Sequence, residues 1–301
     1  MQRRDLVKYA LSGGAFASLA GCKSAPPLPK SGGAVPDAHL TAPMTAPASG
    51  IINVAFLLAP KAEVVDFSGP WGVFEHVSVE KKDPFKLYTV AASKQAIRVS
   101  SDLNVVPNYS FDDAPAPNIV VVPAMQFDPL NAAILDWLRS AYKETDLMMS
   151  VCNGAFILGE AGLLDGKKAT CHHGGYGSLR VYDVEVVRGA RFVEDGKLAT
   201  SGGLTSGTDL ALRLVERYFG RDVAIHTAKA LEYQGTGWMH PDSNAVWAMK
   251  PVSTAEHPIC AVCEWEFDEK PKLKEEYRGR TYYFCGEWCR KHFLKTPQRF
   301  V

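Results

Sequence analysis

Cys152 is the residue around which chemistry is most readily built. It lies in Asp146-Leu147-Met148-Met149-Ser150-Val151-Cys152-Asn153-Gly154-Ala155-Phe156-Ile157-Leu158-Gly159. Leu147 to Val151 is an apolar run of strand length. Gly154 allows close backbone approach, and Ala155 to Leu158 run as a helix to a stop near Gly162. A side chain at the tip of such a turn stands above the carboxyl edge of a sheet. It also stands at a helix N-terminus, where free N–H groups and the dipole favour an anion. A thiol there is expected to titrate below the free value of roughly 8.5 and to attack as the thiolate. That is a nucleophile elbow with sulfur in place of oxygen. Cys152 equally reads as a small buried hydrophobe, as free cysteines often are. His172, one helix and one turn further on, puts an imidazole within a single α/β unit. The Asn153 N–H is a candidate oxyanion donor. Asp66, by position alone, is a carboxylate at a helix N-terminus.

A second cluster closes the chain. Four of the seven cysteines, Cys260, Cys263, Cys285 and Cys289, fall in its last stretch. Paired thiols on a turn and at a helix start are what a tetrahedral soft-metal site needs. Fewer than about fifty residues usually require a metal or disulfides to stay folded. Zinc or copper fits the four thiolates, and the sequence does not choose between them. In an oxidising compartment two disulfides are the other pairing.

These residues need a scaffold. Residues 51–58, 85–91 and 118–123 read as strands, the first and last as buried parallel ones, and 99–106 as a strand or hairpin. Residues 131–143 have helical periodicity, with Ile134, Leu135, Leu138 and Tyr142 on one stripe. A strand at 181–187 and a hairpin over 189–200 follow, with Asp195-Gly196 at its turn. The glycine-rich loop 201–207 opens a helix over 209–218, and a last helix is expected over 224–232. Alternating strands and helices predict an α/β fold, a mostly parallel sheet with helices on both faces. A small cysteine-rich α+β domain follows it. Ligands in such sheets bind beyond the carboxyl ends of the strands, where Cys152 falls. The expected boundaries are a signal at 1–22, a tether at 23–50, the α/β domain at 51–232, a linker at 233–255 and the tail at 256–301. The 301 residues carry a formal net charge of +0 and no long basic run, so no nucleic-acid partner is expected.

The N-terminus reads as a targeting segment. Arg3-Arg4 followed by a short apolar run looks like a twin-arginine export signal, and Leu19-Ala20-Gly21-Cys22 resembles a bacterial lipobox. The resemblance implies a mature protein that starts at a lipidated Cys22, anchored to a membrane and facing the periplasm. Twin-arginine export carries folded proteins, which favours a metal over disulfides in the tail.

From residue 51 to about 220 the motifs resemble the ThiJ/PfpI superfamily, the class I glutamine amidotransferase-like fold, and its isonitrile-hydratase-like and regulator-like branch. The segments that carry this are Asp66-Phe67-Ser68-Gly69-Pro70, Val151-Cys152-Asn153-Gly154, Cys171-His172-His173 and Thr205-Ser206-Gly207. The resemblance implies a flavodoxin-like sheet, Cys152 as nucleophile, His172 as base or thiolate partner, and Asp66 orienting or protonating. It also implies a homodimer and a small-molecule substrate, a carbon–nitrogen or carbonyl compound that is hydrated or hydrolysed. Three departures leave the activity class open. Asn153 stands where the isonitrile-hydrating branch has Thr, His173 where relatives often carry an aromatic residue, and Pro123-Ala124-Met125 where relatives have Pro-Gly-Gly. The tail resembles the YHS domain and the related TRASH metal-binding modules, with Cys263 as an additional cysteine. The alternative to an exported hydratase or hydrolase is a non-enzymatic periplasmic lipoprotein that binds metal or senses oxidants, with Cys152 as its switch.

Overall fold

The computed structural model describes residues 42–126, 132–254, 256–267 and 271–301. The expected export signal, Cys22 and the expected tether as far as residue 41 lie outside these residues.

In chain order the strands are β1 (Ile52–Leu57), β2 (Phe85–Ala91), β3 (Ile97–Arg98), β4 (Asn104–Val105), β5 (Tyr109–Ser110), β6 (Ile119–Val122), β7 (Leu147–Val151), β8 (Lys167–Ala169), β9 (Val184–Val186), β10 (Phe192–Asp195), β11 (Leu198–Ser201), β12 (Leu273–Tyr277) and β13 (Arg280–Phe284). The helices are α1 (Val64–Glu75), α2 (Ala132–Glu144), α3 (Gly154–Glu160), α4 (Tyr176–Leu179), α5 (Ser206–Phe219), α6 (Arg221–Ala230) and α7 (Glu287–Lys295). The main sheet runs β10-β11-β7-β6-β1-β2-β5. All its pairs are parallel except the β10–β11 hairpin at the edge.

The strand sequences explain the layering. β6 and β7 are buried along their whole length, because both faces of a parallel sheet are covered by crossover helices. Alternate residues feed two cores. Val54, Phe56 and Val121 meet α1, α5 and α6 on one face. Ala55, Leu57 and Val120 meet α2, α3 and α4 on the other. This is the flavodoxin-like architecture expected from the sequence.

Several expectations shift in detail. The strand expected over 181–187 is the three-residue β9, paired with β8 outside the main sheet. The region 99–106 is closed by the β3–β4 hairpin. The helix expected from residue 209 starts at Ser206. Residues 42–50, read as tether, lie against α5: the Met44 N–H donates to the Arg217 carbonyl at 2.8 Å, and Met44 and Ala46 pack on the first core. The expected linker is likewise anchored. Trp238 is buried, and its N–H donates to Asp209 Oδ1 at 2.9 Å.

The tail is a β12–β13 hairpin followed by α7. Phe284, Phe293 and Phe300 surround Cys260, Cys263 and Cys289 in a core of its own. No helix among the described residues is long and apolar enough to cross a membrane.

Candidate active site and four-cysteine cluster

Cys152 follows β7 directly and precedes α3, with φ at +59°. A non-glycine residue in the left-handed region is strained, and here the flanking elements hold it. The Cys152 N–H donates to the Gly202 carbonyl at 3.0 Å, which ties the turn to the loop after β11. α3 then crosses the end of β6 so closely that a Cβ on Gly154 would lie 2.1 Å from the Val122 oxygen. Glycine is required there by space.

Asp66 reaches this turn from the first turn of α1 and is wholly buried. Its Oδ2 accepts the Ala124 N–H at 3.0 Å. Oδ1 has no hydrogen-bond partner, although the Leu204 N–H and the Cys152 thiol both act on the carboxyl and pull its pKa down. Burial, with Glu63 nearby, pushes the Asp66 pKa up from its ordinary 3.8 to about 7 against the pull of the Ala124 N–H. The segment 123–125, where the family's glycine pair is replaced, therefore serves Asp66: its Ala124 amide is spent on the carboxylate.

The thiol differs from the sequence expectation. Cys152 is buried at 8% exposure and its pKa is pushed up to about 12, not down. Burial is the main cause and the Asp66 charge the second, opposed by the Asn153 and Leu204 N–H groups. The elbow does not lift the sulfur clear of the core, so desolvation outweighs the short helix behind it. Cys152 in turn lowers the Asp66 pKa as a hydrogen-bond donor, and two groups coupled in this way titrate as a pair. A neutral Asp66 removes its repulsion and can donate to the sulfur, so one proton shared between them gives either carboxylate and thiol or carboxylic acid and thiolate. The Asn153 N–H faces the sulfur and favours its thiolate.

His172 opens the 3₁₀ turn His173–Gly175. Its Nδ1 accepts the Gly174 N–H at 3.1 Å, and its ring lies against the Gly203 backbone, where a Cβ would come within 2.4 Å of Cδ2. Burial, with His173 beside it, lowers its pKa. His172 thus reaches the loop adjoining Cys152. Asp66, by contrast, acts on the sulfur directly. His173 lies between His172 and Trp247, tilted against the first and stacked on the second, with centroids 4.2 and 4.3 Å away. Cys171 is fully buried and its thiol points to the His172 carbonyl at 3.3 Å; burial raises its pKa.

Sequence reasoning missed what supports the glycine-rich loop. Leu204 has φ of +51° and turns its N–H toward the Asp66–Cys152 pair. Arg191 braces the loop, donating to Thr205 Oγ1 at 3.1 Å and to Asp209 Oδ2 at 2.6 Å. The glycines of 201–207 were the available signal for the loop. Nothing local marks Arg191 as its brace.

The four tail cysteines meet in one group, with all sulfurs within 4.8 Å of one another. Cys285 Sγ lies 3.5 Å from Cys263 Sγ and 3.4 Å from Cys289 Sγ. A tetrahedral zinc with Zn–S near 2.3 Å separates its sulfurs by about 3.8 Å, so the set fits a soft ion. The four are free thiols rather than two bonded pairs. Neighbouring S–H donors push the Cys260 pKa down, while the thiols of Cys263 and Cys289, donating to Cys260, are pushed up. A cation would relieve this conflict by accepting all four thiolates.

The tail is docked on the α/β domain. Glu264 takes Arg180 at 2.9 Å and also Arg188, and Arg180 donates to the Ala261 and Val262 carbonyls at 3.1 and 3.3 Å. A Cβ on Gly177 would lie 2.6 Å from the Cys263 backbone. A cavity of about 360 Å³ opens between the two parts, lined by His173, Trp247, Trp265 and Cys263 among others.

Comparison with known proteins agrees with this geometry. The DJ-1/PfpI family model matches residues 52–217. The chain is 32% identical to the isonitrile hydratase of Pseudomonas putida over 185 residues, covering 60% of this chain and 78% of that protein. It is 26% identical to the HTH-type transcriptional regulator CdhR of Pseudomonas aeruginosa, covering 58% of this chain and 53% of the regulator. Among solved structures, a ThiJ/PfpI family protein from Pseudomonas syringae superposes with a TM-score of 0.56 at 28% identity, covering 62% of this chain and 76% of that one. Drosophila melanogaster DJ-1beta shares the fold at a TM-score of 0.54 and 23% identity, covering 62% of this chain and all of that one. With its cysteine elbow, buried aspartate and sheet order in place, this chain belongs to the DJ-1/PfpI family.

Proposed function

We propose that the α/β domain is a cysteine-nucleophile enzyme of the hydratase or hydrolase kind, acting on a small carbon–nitrogen or carbonyl compound. One observation carries this: a buried carboxyl, pushed to about 7, faces the thiol of a strained elbow. Asp66 is then half-protonated near neutrality, the condition under which an acid can both give and regain a proton. For an isonitrile the balance is direct. The Cys152 thiolate adds to the terminal carbon while Asp66 delivers its proton to that carbon, giving a thioimidate. Water adds to the same carbon, one of its protons going to the nitrogen and the other to Asp66; the C–S bond breaks, and an N-substituted formamide leaves. Asp66 and Cys152 recover the shared proton. The Asn153 and Leu204 N–H groups stabilise the sulfur anion, and neutral His172 lines the adjoining loop. The likeness to an isonitrile hydratase supports the substrate class; Asn153, where that branch has Thr, makes other small electrophiles such as reactive aldehydes equal candidates.

In the same reading the protein is exported, lipidated at Cys22 and held at the membrane, and the tail is a YHS-like unit binding zinc or copper through Cys260, Cys263, Cys285 and Cys289. A second reading is favoured by the burial that raises the Cys152 pKa: a non-enzymatic metal-binding or redox-sensing lipoprotein, with the tail as its working part. Incubation of the full chain with an alkyl isonitrile, and separately with a 2-oxoaldehyde, tests the choice. Product from the wild type and none from folded Cys152→Ser supports the enzyme; no turnover of either compound refutes it. Cys22→Ala should release the protein from membranes, and continued membrane attachment would refute the anchor.

A further inference from the structure

The tail and the His172 turn are joined by a line of hydrogen bonds. Trp265 Nε1 donates to the Gly174 carbonyl at 3.0 Å. The other side of that same peptide, the Gly175 N–H, donates to the His172 carbonyl at 2.7 Å. One residue earlier, the Gly174 N–H donates to His172 Nδ1 at 3.1 Å. Bonds made through one peptide polarise each other, so anchoring its carbonyl strengthens its N–H bond. The result is a turn held at both faces, with its first N–H aimed at the imidazole.

That N–H decides the ring state. A ring nitrogen that accepts a hydrogen bond carries no proton, so neutral His172 has its proton on Nε2. Nε2 then donates and cannot act as a base. This sharpens the sequence expectation of a base or thiolate partner: the arrangement fits a donor to an anion.

Trp265 is in turn placed by the cysteine knuckle. The Cys260 N–H donates to the Trp265 carbonyl at 2.9 Å, and the Glu264 N–H to the Cys260 carbonyl at 2.9 Å. Glu264, one residue before Trp265, is clamped by Arg180 and Arg188. The indole is 63% exposed, so core packing alone does not account for its position; its one polar atom is engaged by the turn.

We propose that Trp265 is a positioning residue for His172, through which the C-terminal cysteine unit fixes the Nε2–H tautomer at the edge of the candidate active site. The inference rests on the proposed function only in assigning His172 to the Cys152 chemistry. The tautomer itself is independent of any turnover.

The test is the ring-nitrogen spectrum of the full chain labelled with ¹⁵N-histidine. His172 is assigned by comparison with His172→Gln. In the wild type, Nδ1 should show the shift of an unprotonated acceptor and Nε2 that of a protonated nitrogen. Trp265→Phe keeps an aromatic ring and removes the N–H. It should shift the tautomer ratio toward Nδ1–H by about twofold, less than the roughly fivefold that direct loss of one net hydrogen bond carries, because the Gly174 N–H itself remains. Trp288→Phe, on α7, should leave the His172 signals unchanged. The proposal is overturned if the wild-type proton sits on Nδ1. It is equally overturned if Trp265→Phe matches the wild type, or if Trp288→Phe perturbs His172 as much as Trp265→Phe does. Absence of turnover in the substrate assays would leave this readout intact, and a null result here would leave the Cys152–Asp66 chemistry standing.

Discussion

Asp66→Asn isolates the group that sets the site. Asn has the shape of a protonated aspartate but cannot ionise. In the wild type the folded state holds the Asp66 pKa near 7 against an ordinary 3.8, which amounts to a preference for the neutral acid of about 4 kcal/mol. The sign follows from proton uptake: between these two values the native protein holds a proton that the unfolded chain has lost. Stability is therefore fullest below about pH 4, falls as pH rises to 7, and is level above it as far as this group is concerned. Asp66→Asn should flatten that fall, so that near pH 8 the variant is the more stable by a few kcal/mol while near pH 4 the two agree. The same change removes the charge that helps to raise the Cys152 thiol to about 12, so alkylation of Cys152 should begin at lower pH. Urea unfolding across pH gives the first quantity, and iodoacetamide labelling read by peptide mass gives the second, with fully buried Cys171 as the internal comparison. A variant with wild-type pH dependence of stability and an unmoved Cys152 titration would refute the pairing of Asp66 with the thiol.

Three further outcomes are expected. Gly154→Ala places a methyl against the Val122 and Pro123 backbone and should destabilise the domain by about 3 kcal/mol, seen as a lower urea midpoint; an unchanged midpoint would show that the elbow can relax. Glu264→Gln leaves Arg180 and Arg188 partly buried without their carboxylate and should weaken docking of the tail by about 3 kcal/mol, read as faster proteolysis near residues 250–260, with the α/β domain intact. Metal analysis should find one ion per chain, and Cys289→Ser or a strong chelator should abolish it and unfold the β12–β13 hairpin and α7, since binding supplies the folding energy of so small a unit. Circular dichroism that is unchanged after metal loss would refute that dependence.

How much of this was legible in the chain follows from the range of the interactions involved. The α/β class could be read because it depends on local patterns: the unbroken apolar runs of β1, β6 and β7, the stripe on α2, and Gly154 after Cys152 are each written within a few residues. The four-cysteine set could be read from its spacing, and the structure gathers those sulfurs within 4.8 Å. The electrostatics could not. Whether Cys152 is acidic depends on how deeply α1, β6 and the loop at Leu204 bury it, and on a carboxyl brought from 86 positions away in sequence. The sequence supports a helix N-terminus that lowers the thiol pKa; the tertiary structure adds desolvation and Asp66, and these prevail. The docking of the tail is equally a matter of assembly. Arg180, Arg188, Glu264 and Trp265 carry no motif, and only the assembled structure brings them to the turn that holds His172. Identity and order of the reactive groups were determined by the sequence alone. Their protonation was decided only by the fold, because pKa values and tautomers answer to burial and to neighbours that a linear pattern does not specify.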